Sequence, residues 1–122
     1  MTPEIFHQRD EVAAANQSLW RNVNENIKNL HNHLASPDGL RTFLCECAAL
    51  RCGQSFEMTA REYEAVRADP TCFVVAPGDD HVIEDVEVVI AREPHYWVVQ
   101  KIGASADVAA HLDPRTKEST GV

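Results

Sequence analysis

The stretch FLCECAALRC, residues 43–52, places Cys45, Cys47 and Cys52 within eight positions of one another. In an extended strand the side chains of Cys45 and Cys47, two positions apart, project to the same side. Ala48-Ala49-Leu50-Arg51 then gives the chain room to turn back and present a third thiolate. The plainer reading is three ordinary buried thiols, but three of the chain's four cysteines in so short a span argue against it. In a reducing cytosol, clustered cysteines are metal ligands or redox groups rather than structural disulfides. The stretch therefore predicts a hairpin pinned by a metal ion.

Zinc takes four sulfur or nitrogen ligands in a tetrahedron. His81 is the leading fourth ligand, because PGDDHV, residues 77–82, reads as a loop from which a side chain can swing onto a site. Cys72 is the alternative. It opens CFVV, a strand in which a free cysteine behaves as a small hydrophobe. His7 lies near the start of the chain. His31 and His33 do not share a helix face, and His95 and His111 have no cysteine nearby in sequence. An iron–sulfur cluster is the rival to zinc, but the spacing matches neither ferredoxin pattern. With His81 the zinc has no open position, and three thiolates make it a poor Lewis acid. In an open site Glu46 or Asp80 would serve as general base; both are read instead as solvated surface charge.

The 122 residues suffice for one domain. A balance of 11 basic against 19 acidic residues, net charge −8, disfavours a nucleic-acid surface and one held to anionic lipid. No run reaches the roughly 20 apolar residues of a membrane span. MTPEIFHQRDEV lacks the basic and apolar regions of a signal peptide, so the expectation is a cytoplasmic protein.

Residues 8–35 read as one long helix, with Leu19, Val23, Ile27, Leu30 and Leu34 on its apolar face and Arg21, Glu25, Lys28 and Asn32 opposite. SPDG at 36–39 stops it. Such a helix is about 40 Å long, more than a small domain covers, which predicts a homodimer or a protein partner along it. LRTFLCE and QSFEM read as paired strands. Thr59 and Glu62 form a capping box for a second helix with Tyr63 and Val66 inside. CFVVAP, VEVVIA and YWVVQKI read as strands, the last two as a hairpin. SADVAAHL reads as a helix capped by Ser105. The fold class is α+β: a long N-terminal helix, a zinc-bearing β-hairpin followed by a capped helix, and a small antiparallel sheet. Residues 1–113 form a single domain, with 40–112 its metal-stabilised core. The polar segment DPRTKESTGV reads as frayed, with 114–122 a flexible tail.

Five segments together, FLCEC and its third cysteine, TAREYEAVR, FVVAPG with its histidine, YWVVQK and RNVNENI, resemble a group of small uncharacterised actinobacterial proteins. That group shows F-x-C-E-C, T-x-x-E-Y-x-x-V-R, F-x-V-x-P-G with a histidine, and Y-x-V-V-x-K. The likeness spans residues 20–115 and implies the cysteine site and a cytosolic setting, without an activity. Here Asp79 and Asp80 stand between Pro-Gly and His81, which adds Asp79 as a possible oxygen donor.

The leading functional expectation is a small zinc-stabilised protein-binding or regulatory module without catalytic activity. A thiol-based redox or metal sensor is the first alternative, and a metalloenzyme with an open zinc site the second.

Overall fold

A computed structural model of the chain describes residues 3–32, 39–49, 52–83 and 85–115. The fold is α+β. The order is α1 (Pro3–Asn32), β1 (Leu40–Leu44), β2 (Ser55–Thr59), α2 (Ala60–Arg67), β3 (Cys72–Val75), a 3-10 turn (Asp79–His81), β4 (Glu87–Arg92), β5 (Trp97–Lys101) and α3 (Ala104–Leu112). Strands β1 and β2 pair antiparallel, Leu40 opposite Thr59 and Leu44 opposite Ser55. The second sheet has the order β3-β5-β4, all antiparallel, with an irregularity between Val89 and Ala91.

Alternation explains the first hairpin. Phe43 on β1 and Phe56 and Met58 on β2 turn inward, while their neighbours face out. Thr59 ends β2 and caps α2: its side chain accepts from the Glu62 amide at 3.0 Å, and Glu62 accepts from the Thr59 amide at 2.8 Å. That box aims Tyr63 and Val66 into the core, where the Tyr63 ring stacks on Phe43 at 4.6 Å. All four residues of β3 are buried, so this strand is covered on both faces.

Helix α1 departs from the sequence reading. It begins at Pro3, and its expected stop at 36–39 lies, apart from Gly39, outside the described residues. Leu30 and Leu34 likewise have no described side chain. The inward stripe is polar: Gln17, Ser18, Arg21, Asn24 and Glu25 are buried, whereas Leu19 is 50 % exposed. Arg21 and Glu25, expected on the solvent face, are inside because the core supplies partners. The Arg21 guanidinium donates to Pro70 O at 2.7 Å and Ala109 O at 2.9 Å, and lies over the Phe73 ring. Gln17 donates to Glu87 at 3.1 Å, which also pairs with buried Lys101. Val23 and Ile27 are half-buried, and Ile27 packs against the main apolar cluster.

Two further expectations are corrected. Ser105 does not cap α3; Gly103, with φ of 63°, takes that position, and the Ser105 hydroxyl donates back to Ile102 O at 2.8 Å, with Val86 O 3.1 Å away. Asp113 and Arg115 are not frayed. Asp113 is buried against Arg67 in a two-bond pair of 2.6 and 3.2 Å, and Arg115 reaches Glu25 and Glu64. Residues 116–122 lie outside the described set. No described helix is long and apolar enough to cross a membrane.

Candidate metal centre

Three short segments meet at one point. Cys45 and Cys47 leave the end of β1 together, as strand alternation requires. The Cys52 amide donates to Ala49 O at 3.2 Å. Gly53 follows with φ of 60°, a left-handed conformation that only glycine takes readily. The Cys45 amide donates to Gln54 O, holding the two limbs together. His81 arrives from beyond β3, on the 3-10 turn that Gly78 opens with φ of 133°.

The Cys45, Cys47 and Cys52 sulfurs and a His81 nitrogen all lie within 4.8 Å of one another. His81 Nδ1 is 3.6 Å from both Cys45 Sγ and Cys52 Sγ. With Zn–S near 2.3 Å and Zn–N near 2.0 Å, a tetrahedron has an S···N edge of about 3.5 Å. The donor set is thus of a kind that could hold a metal ion, and the two Cys–His distances are close to that edge. Cys72 and Asp79, the other candidates for the fourth place, are not in this cluster. Cys72 is 4 % exposed in β3, its thiol pushed up to about 11 by burial and by Asp69. Asp79 is exposed.

One of the three thiols is shifted towards its charged form. Hydrogen bonding from Cys45 brings the Cys47 thiol down to about 4 against the effect of burial, with His81 and Cys52 helping. Cys45 is pushed up in return, by that same bond and then by burial. Burial raises Cys52. The Ala76 amide donates to Cys45 Sγ at 3.2 Å, the kind of contact that stabilises a thiolate. One thiolate is thus favoured within the trio, the state in which sulfur binds metal.

Glu46, between the two paired cysteines, is no solvated surface charge. It points the opposite way and has no exposed surface. Its Oε1 accepts from the Val74 amide at 3.0 Å, and its Oε2 accepts from Asn24 Nδ2 at 2.9 Å and from the Tyr63 hydroxyl at 3.0 Å. Burial raises its carboxyl above the ordinary range, opposed by Asn24, Val74, the Arg21 charge and Tyr63. Asn24 also clasps the end of β1, donating to Leu44 O and accepting from the Leu44 amide, each at 2.8 Å. The residue that separates two ligands is therefore tied to α1, α2 and β3. The signal was present in the sequence: if Cys45 and Cys47 share a side, the residue between them faces the other. Asp80, the second general-base candidate, is exposed.

No protein-family model, no curated protein and no solved structure matches this chain. The reading of the centre rests on its own geometry.

Proposed function

We propose that Cys45, Cys47, Cys52 and His81 hold one zinc ion as a structural centre, and that the protein is a small cytoplasmic binding or regulatory module without catalytic activity of its own. The observation that carries this is the convergence of four donor atoms within 4.8 Å, with His81 Nδ1 3.6 Å from two of the sulfurs. A centre closed by four protein ligands has no place for a substrate or water, and its binding free energy adds to folding. The module reading extends to a protein partner or a second copy along α1, where Leu19 is half-exposed.

Metal analysis of untagged protein tests the centre: about one zinc per chain is expected, and a strong chelator should unfold the domain. Cys47→Ser should lose the metal and melt with it. A colourless Cys47→Ser protein that keeps both zinc and wild-type stability overturns the structural centre. Brown protein carrying iron overturns zinc in favour of an iron–sulfur cluster. Light scattering at micromolar concentration tests the second copy, and a monomeric mass removes it.

A further inference from the structure

Between α2 and the second sheet lies an open cavity of about 470 Å3, lined by none of the four residues of the metal centre. The size is that of a small-ligand site. Its walls are mainly apolar, with Val66, Cys72, Ala91 and Val98 among them. Ile90 stands at the cavity 52 % exposed, an apolar side chain left for something to cover.

The charged groups of the lining are of one sign. Two carboxylates, Glu62 and Asp69, line the cavity, and among the described residues no lysine, arginine or histidine does. The lining hydroxyl, on Tyr96, spends its proton on Glu62 Oε2 at 2.9 Å. Asp69 is held by the Thr71 amide and hydroxyl at 2.9 and 2.6 Å and by Gln100 at 3.0 Å. Both carboxyls are lowered, Glu62 first by the Thr59 amide and Asp69 first by the Thr71 hydroxyl, so both are anionic at neutral pH. The cavity therefore offers apolar surface, negative charge and acceptor oxygens.

We propose that this cavity binds a small organic cation with an apolar body, an alkyl- or arylammonium. Its charge faces Glu62 or Asp69, and its body rests on Val66, Ile90 and Val98. An anion of equal size meets two like charges and is rejected. The site goes beyond the metal reading and stands or falls separately from it.

The test is a titration of the metal-loaded full chain, followed by amide NMR shifts, with hexylamine, phenethylamine, hexanoate and hexanol. The two amines should shift the amides around Val66, Ile90 and Val98 with Kd below about 1 mM, and hexanoate should bind at least about tenfold more weakly. Glu62→Gln, which keeps a capping-box side chain, should weaken the amines when combined with Asp69→Asn and leave hexanol unchanged. Ala65→Trp, at an exposed helix position that lines the cavity, should block every ligand while the protein stays folded. Hexanoate binding as tightly as hexylamine overturns the charge assignment. The absence of saturable shifts with every compound overturns the site, whatever the metal content.

Discussion

A carboxylate without exposed surface keeps its charge only if the protein replaces the lost water. Glu46 is offered one backbone amide, one side-chain amide and one phenol, which oppose the burial that raises its carboxyl. All three are donors, so the site is matched to an acceptor at both oxygens. Glu46→Gln should therefore be nearly as harmful as Glu46→Ala, since a glutamine must turn its NH2 toward either Val74 or the Asn24–Tyr63 pair. A loss of about 2–4 kcal/mol is expected for each, from one to two orphaned donors. Urea unfolding of the metal-loaded variants measures it. A Gln variant as stable as wild type would show that Glu46 is protonated and already acts as a donor itself.

Helix α1 is where the sequence is hardest to read. The strands are legible because β-branched runs such as CFVV and WVVQK have few other uses, and α2 because Thr59 and Glu62 lie three apart in the chain they cap. The three cysteines and His81 are legible because ligand chemistry restricts residue type more sharply than packing does. The inner face of α1 is not, because Gln17, Arg21 and Asn24 are buried by partners far along the chain: Glu87, Pro70, Ala109, Leu44 and Glu46. A periodicity that counts only apolar residues selects Leu19 and passes over the true stripe. The same polar face links the helix to the Cys–His cluster, since Asn24 grips Leu44 and Glu46 on either side of Cys45. Chelation under conditions mild enough to leave the strands paired should thus speed hydrogen exchange at the Leu44 amide, which donates to Asn24 Oδ1. Asn24→Ala should do the same with metal bound, at a cost of about 1–3 kcal/mol. Unchanged Leu44 exchange after chelation would separate the helix from the centre.

Across the whole molecule, charged side chains fasten elements that the small apolar core does not reach. Arg67 at the end of α2 pairs with Glu25 of α1 and with Asp113 beyond α3, and its side chain is fully buried. Removing one partner of such a group leaves the others uncompensated, so Arg67→Ala should destabilise by about 3–5 kcal/mol. Around this core, Arg115 and Lys28 hold Glu64. The Arg115 hydrogen bond, then Lys28, bring the Glu64 carboxyl from 4.5 to about 2 against its partial burial. Burial works to raise Asp113 as well, but Arg67 and the Arg115 amide outweigh it and the carboxyl is lowered. Because both folded values lie below the unfolded ones, the unfolded chain binds more protons in acid. The stabilisation is present above the unfolded values and is lost as pH falls through the folded ones. Release of the proposed metal by protonation of thiolates and imidazole would fall in the same direction, so a wild-type acid titration alone would mix the two. Glu64→Gln separates them. Its side chain is 45 % exposed, so screening keeps its share small, and the variant should be slightly less stable than wild type near neutrality. The two stabilities should converge as pH falls from about 5 towards about 2. A difference that stays constant across that range would mean that Arg115 and Lys28 do not act on the Glu64 charge.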